Sequence, residues 1–155
     1  MNCDTATIIL AEDNAADIML VREALKKHQI DCLLNVINDG AEVIAFLDSL
    51  NNCPQLYCFD LLLLDMHLPK RDGEEILKKL RSIEHYAETP VIVMSGSLSP
   101  QFRATAEKHR ALHYFPKPSN LSEFMELGVL IGDILKTKQS GRTMEGEEQR
   151  STAAA

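Results

Sequence analysis

Phe59-Asp60-Leu61-Leu62-Leu63-Leu64-Asp65 is the stretch on which the fold turns. An apolar run this continuous has no polar face, so both sides should be buried, as in a parallel sheet covered by helices. It ends on a carboxylate and then Met66-His67-Leu68-Pro69, which cannot simply continue as strand. In open α/β sheets the crevice beyond the carboxyl ends of the strands is where ligands bind, and Asp65 stands at such an end.

Working outward, Thr7-Ile8-Ile9-Leu10-Ala11 reads as a buried first strand. Asn14 follows as a helix N-cap with Asp17 three residues on, and Ile18, Val21 and Leu25 repeat at helical spacing. Cys32-Leu33-Leu34-Asn35-Val36-Ile37 is a second strand. Asp39 and Glu42 stand at capping-box spacing before an apolar face of Val43, Phe46, Leu47 and Leu50. Asn51-Asn52-Cys53-Pro54-Gln55 is turn chemistry leading into the central strand. Beyond Asp65, Ile76, Leu77, Leu80 and Ile83 mark a third helix, and Val91-Ile92-Val93-Met94 a fourth strand ending in Ser95-Gly96-Ser97. Ser99-Pro100 opens a weakly amphipathic fourth helix. Leu112-His113-Tyr114-Phe115 is a fifth strand stopped by Pro116-Lys117-Pro118. Ser119 or Asn120 caps a last helix over residues 121–136. Five strands alternating with five helices predict an α/β, flavodoxin-like (βα)5 fold, a doubly wound five-stranded parallel sheet with strand order 2-1-3-4-5. The domain is expected to span residues 5–137. Residues 138–155, polar and without apolar periodicity, are expected to be a disordered tail.

The totals exclude several classes. No apolar run approaches a membrane span, and the first residues carry no signal-peptide pattern, so a cytoplasmic protein is expected. Sixteen basic against twenty-three acidic side chains give a formal net charge of −7, which argues against general nucleic-acid binding. Cys3, Cys32, Cys53 and Cys58 form no metal-ligand spacing and read as free thiols, with a Cys53–Cys58 disulfide as an alternative under oxidation.

The predicted strands one, three, four and five end in Glu12-Asp13, Asp65, Ser95-Gly96 and Lys117, so a parallel sheet brings these groups to one rim. Each alone is an ordinary turn residue, cap or solvated charge; the coincidence of all four points to a site. Clustered carboxylates repel unless a cation sits among them, and oxygen-only ligands suit Mg²⁺, which pairs readily with phosphate oxygens. The ion and the Lys117 ammonium would neutralise a phosphoryl group on Asp65, and the Ser95 hydroxyl and Gly96 N–H would bind its oxygens. Carboxylate nucleophiles forming an aspartyl-phosphate are known chemistry.

Glu12-Asp13, Asp65-x-x-x-Pro69-x-x-x-Gly73, Ser95 and Lys117-Pro118 together resemble the receiver domain of two-component response regulators. The resemblance implies that Asp65 takes a phosphoryl group from a phosphohistidine on a sensor histidine kinase. It implies that Mg²⁺ is held by Asp13, Asp65 and the main-chain carbonyl of His67, with Glu12 nearby through water. Lys117 would pair with the phosphoryl group, next to a bond to Pro118 that the family often makes cis. Ser95 and Tyr114 would form the switch, repacking the surface of the fourth helix, fifth strand and fifth helix; an ordinary edge-of-core tyrosine is the alternative for Tyr114. Glu12-Asp13-Asn14-Ala15-Ala16-Asp17, Arg22-Glu23-Ala24-Leu25 and Leu68-Pro69-Lys70-Arg71-Asp72-Gly73 resemble the stand-alone regulators paired with phytochrome-type histidine kinases.

Three departures from the family pattern stand out: Ser95 where Thr is usual, Pro116 before the lysine, and His67 with Ser97 flanking the site. A phosphatase of the haloacid-dehalogenase type would need a second Asp where His67 stands, and a dinucleotide site would need glycines where Glu12-Asp13-Asn14 stands. The polar tail is too short for a DNA-binding module, so the expected output is a protein surface. The reader is either a downstream target or, if the chain is a phosphate carrier, a histidine phosphotransfer protein. Met125, Gly128, Val129 and Gly132 form a second apolar strip on the last helix, open to two readings: a partner such as a second copy in a two-fold dimer, or broad burial of the helix.

Overall fold

In the computed structural model, which describes residues 5–53 and 57–153, the leucine run forms the central strand β3 (Leu61–Asp65). Ahead of it lie β1 (Ala6–Ala11), α1 (Ala15–Lys27), β2 (Cys32–Ile37) and α2 (Gly40–Asn52). After it come α3 (Gly73–Ser82), a 3₁₀ turn (Glu84–Tyr86), β4 (Val91–Ser95), α4 (Pro100–Lys108), β5 (His113–Pro116), α5 (Leu121–Phe124) and α6 (Glu126–Ala153). All strand pairs are parallel and the order is β2-β1-β3-β4-β5, the doubly wound sheet expected.

The leucines of β3 part to opposite faces, which is why the run needs no polar residue. Leu61 and Leu63 join Ile8, Leu10, Ile92 and Met94 beneath α1 and α6, while Leu62 and Leu64 join Ile9, Ala11, Val91 and Val93 beneath α2 and α3. Each buried leucine contributes about 1.5–3 kcal/mol, so the strand that ends in Asp65 is among the least movable parts of the molecule. Asp60 precedes the strand and extends the ladder: its N–H donates to the Thr7 carbonyl at 2.7 Å, and its Oδ2 accepts the Thr7 N–H at 2.9 Å.

The helix starts follow their capping residues. Asn14, Asp39, Asp72 and Asn120 each accept backbone N–H groups of the first turn, whereas Ser99 makes no side-chain cap bond. α4 is instead held at its other end. The Arg81 guanidinium donates to the carbonyls of His109, Arg110, Ala87 and Thr89, and Glu74 pairs with His109 at 3.2 Å and Lys108 at 3.3 Å.

The structure corrects three expectations. Asn51 and Asn52 belong to the last turn of α2 rather than to a turn; Pro54 and Gln55, like Cys3, lie outside the described residues. The last helix breaks at Met125, whose carbonyl accepts from His28 Nε2 at 3.0 Å; a carbonyl can only accept, so Nε2 carries the proton. Of the two readings of the strip, burial holds for Met125 and Gly128, where a Cβ on Gly128 would lie 2.8 Å from the Ala24 carbonyl of α1; Gly132 is half-buried and Val129 exposed. Residues 138–153, expected to be disordered, continue α6, and residues 154 and 155 are not described. Low hydrophobicity does not prevent a helix whose stretch lacks proline and is rich in Lys, Gln, Arg and Glu. Thr137 and Ser140 bond back to Asp133 and Lys136, and Lys138 reaches the Asp60 carboxylate at 3.8 Å. Among the described cysteines, Cys32, Cys53 and Cys58 are free thiols.

Gly40 permits the approach of the loop between β3 and α3. Its N–H donates to the Pro69 carbonyl at 2.9 Å, and a Cβ there would stand 2.2 Å from the Arg71 carbonyl oxygen, a backbone atom that cannot rotate away. Overpacking of this kind costs about 1–3 kcal/mol, more than the roughly 1 kcal/mol that alanine gains over glycine in a helix. Gly40→Ala is therefore expected to lower stability in chemical denaturation; an unchanged or raised midpoint would show that the loop does not rest on α2.

Candidate functional site

The rim is assembled at the C-terminal ends of β1, β3, β4 and β5. Glu12 directly follows β1 and is fully buried. Its Oε1 accepts the Asn14 N–H at 3.0 Å and its Oε2 takes Lys117 Nζ at 2.7 Å. Asp13, beside it, is exposed. Asp65 closes β3 and is 5% exposed. Its Oδ1 accepts the His67 N–H at 2.9 Å, and its Oδ2 accepts from Lys117 Nζ at 2.8 Å. The peptide that follows is thereby folded back over the carboxylate.

Below this turn the loop is tight. The Arg71 N–H closes on the Pro69 carbonyl at 2.9 Å, which leaves Lys70 in left-handed backbone at φ 69°. For a residue with a Cβ this costs about 1–2 kcal/mol. The Lys70 ammonium is paired with Asp39 at 2.6 Å, so the strained residue is tied to the cap of α2. Gly73 serves the same approach from below, since a Cβ there would lie 3.0 Å from Met66 Cα.

Lys117 is the charge centre. Its backbone N–H donates to the Ser95 carbonyl at 2.8 Å, continuing the β4–β5 pairing, and its side chain crosses the rim. Nζ makes three carboxylate bonds, to Glu12 at 2.7 Å and to Asp17 and Asp65 at 2.8 Å each. Burial pushes the ammonium toward losing its proton, but the bonds to Asp17, Asp65 and Glu12 outweigh it and hold its pKa above the usual lysine value. Burial also pushes the Glu12 carboxyl above the ordinary range, against the hydrogen bonds from Lys117 and the Asn14 N–H that lower it. The bond between Lys117 and Pro118 is trans, not the cis bond that the resemblance suggested. Pro116 sits on the edge strand β5, where a missing N–H is tolerated.

One oxygen each from Glu12, Asp13 and Asp65 lies within 4.8 Å of the others. Oxygen donors at this density, with a single ammonium among them, fit a hard divalent cation. Ser95 is buried at the end of β4, but its hydroxyl stays within its own loop, donating to the Ser97 carbonyl at 3.1 Å. The Tyr114 hydroxyl donates to that same carbonyl at 3.0 Å, and the Arg103 guanidinium lies 4.9 Å from its ring centre. Gly96 has nothing within 4 Å of where a Cβ would be, so a side chain there would meet open space.

Every residue expected at the site is thus found on or beside the rim, with His67 on the loop above it. Two contacts escaped the sequence. Asp17, read there only as a cap partner, reaches Lys117 from the first turn of α1. The His67 ring meets Phe102 of α4 edge-on, ring centres 4.7 Å apart, linking the site to the uncapped end of that helix. Nothing in local spacing announces either, because both depend on how separate helices sit over the strand ends.

Residues 8–127 match the sequence model of the response regulator receiver domain. Response regulator Rcp1 of Synechocystis sp. is 32% identical over 120 residues, covering 77% of this chain and 82% of Rcp1. Among solved structures, the phosphorylated cyanobacterial phytochrome response regulator RcpA superposes with a TM-score of 0.72 at 32% identity, over 82% of this chain and 91% of that one. The Mn²⁺-bound form of Rcp1 superposes with a TM-score of 0.70 at 31% identity, over 79% of this chain and 88% of that one.

A divalent cation that relieves the carboxylate repulsion stabilises the folded state by mass action, about 2.7 kcal/mol at a free concentration near 100 Kd. Saturating Mn²⁺ or Mg²⁺ is expected to raise Tm by several degrees, and Asp13→Asn to remove most of that shift. A Tm indifferent to both ions would mean that the acidic cluster is not a cation site.

Proposed function

The chain belongs to the response regulator receiver family, and from that premise we propose that it accepts a phosphoryl group on Asp65 from a phosphohistidine of a sensor histidine kinase, with Mg²⁺ as cofactor. The observation that carries the reading is the buried Asp65 carboxylate held 2.8 Å from a charged ammonium, on a rim shared with Glu12 and Asp13. In the transfer an Asp65 oxygen forms a bond to phosphorus as the bond from phosphorus to the histidine nitrogen breaks. The electron pair returns to that nitrogen, leaving an acyl phosphate on Asp65. Asp13, Asp65 and the His67 carbonyl would hold Mg²⁺, with Glu12 through water. The ion, when bound, supplies positive charge opposite the phosphoryl oxygens. Hydrolysis by water regenerates the carboxylate, so the protein works as a signalling component that catalyses only its own modification.

The Lys117 ammonium exchanges its bond to Asp65 for one to a phosphoryl oxygen. The Gly96 N–H and the Ser95 hydroxyl supply further donors. Ser95 can reach the new group only by leaving the Ser97 carbonyl that it shares with Tyr114, so the change at Ser95 is felt at Tyr114. The consequence is read on the face made by α4, β5 and α5, where α4 is held at one end and Leu98 and Leu112 are exposed. Its reader is a protein, either a distinct target or a second copy. Likeness to Rcp1 and to RcpA, named as a phytochrome response regulator, supports a phytochrome-type kinase as donor and a cytoplasmic setting.

Incubation with acetyl phosphate and Mg²⁺ is expected to add one phosphoryl mass to the wild type and none to Asp65→Asn. Equal addition to both would remove Asp65 from its role. Tyr114→Phe should be phosphorylated as the wild type is, yet lose the change in amide exchange over residues 97–116 that phosphorylation brings. Loss of phosphorylation in that variant would show that Tyr114 belongs to the acceptor site and not to the readout.

A further inference from the structure

An ammonium has three protons, and in this structure each has its own carboxylate: Glu12, Asp65 and Asp17. The three are not equivalent. Glu12 and Asp65 also belong to the cluster whose oxygens converge for a cation, together with Asp13; Asp17 does not. Phosphorylation takes the charge of Asp65, and a bound cation draws on Glu12. Asp17 is the one acceptor of Lys117 that neither event touches.

Its placement comes from the start of α1. Its backbone N–H is fixed by the Asn14 cap at 3.2 Å, and α1 is seated by buried Val21, Ala24 and Leu25. Its side chain is 23% exposed, against 0% for Glu12 and 6% for Asp65, so it is the most solvent-exposed of the three acceptors.

We propose that Asp17 is a positioning residue that tethers the Lys117 ammonium beside Asp65, so that only one of its three bonds is exchanged when a phosphoryl oxygen arrives. The proposal rests on the phosphoryl-acceptor reading above. A lysine stem has four rotatable carbons, and two of its three carboxylates change state during the reaction. Without a fixed third, the ammonium has to be ordered anew at each transfer. An acid in the first turn of α1 also favours the helix dipole, which is the plain structural role, and the test separates the two.

Phosphorylation of the full chain by acetyl phosphate at saturating Mg²⁺ is compared between the wild type, Asp17→Ala and Asp17→Glu. Asp17→Ala is expected to slow it about tenfold, the loss of one charge-assisted hydrogen bond, with Mg²⁺ affinity kept within about twofold. Asp17→Glu should restore part of the rate. In a Lys117→Ala background, Asp17→Ala should cost nothing further, since it acts through that lysine. A wild-type rate in Asp17→Ala, or the same fractional loss with and without Lys117, overturns the tether. NMR of the Lys117 amino group reads the tether even where the wild type accepts no phosphoryl group, a result that would sink only the acceptor reading. A protected Nζ signal is expected in wild type and a broadened one in Asp17→Ala, and an unchanged signal refutes the proposal.

Discussion

The Lys117 ammonium, bonded at once to Glu12, Asp17 and Asp65, is the interaction on which the rim depends. Four carboxylates lie close together at the end of a sheet, and the structure sets one lysine against them. Partly buried charges of one sign cost free energy unless they are paired, and one ammonium cannot offset four. What is left over is a site biased toward cations and toward any event that rearranges its charge. On the proposed reading, a phosphoryl group arriving with Mg²⁺ would be such an event.

That centre is steady because the parts carrying it are not free to move. β3 is buried on both faces, and the loop after it is pinned to α2 by Gly40, Pro69 and the Lys70–Asp39 pair. α4 is different. Arg81 and Glu74 fasten its C-terminal end to α3, while its N-terminal end lacks a side-chain cap and meets the site through Phe102 against His67 and Arg103 over the Tyr114 ring. An element anchored at one end, with a light contact at the other, is suited to take two positions. The carbonyl of Ser97, accepting from both Ser95 and Tyr114, lies in the connection that such a movement would pull on.

The sheet was legible because its signal is redundant: five apolar runs, each closed by turn chemistry, admit few topologies, and the Asp65, Glu12-Asp13, Ser95 and Lys117 positions then follow from strand direction alone. Asp17 was not legible. Its spacing from Asn14 fits a helix cap, and only the way α1 sits beside the strand ends brings it to Lys117. The Met125-Gly128 strip was left open for a related reason, since apolar residues facing α1 look the same in sequence as residues facing a partner. Residues 138–153 did mislead. Their polarity ruled out a core, and the sequence reading took that for disorder, although a helix needs only its own backbone bonds and has the Lys138–Asp60 pair near its root.

Hydride reduction is the direct test of where the phosphoryl group goes, because it converts an acyl phosphate on aspartate to homoserine and leaves free carboxylates intact. Protein phosphorylated in the presence of Mg²⁺, reduced with borohydride and sequenced by tandem mass spectrometry, should carry homoserine at position 65 and nowhere else. Homoserine at position 13 or 17 with Asp65 unchanged, or a phosphoryl group that resists reduction, would contradict the account.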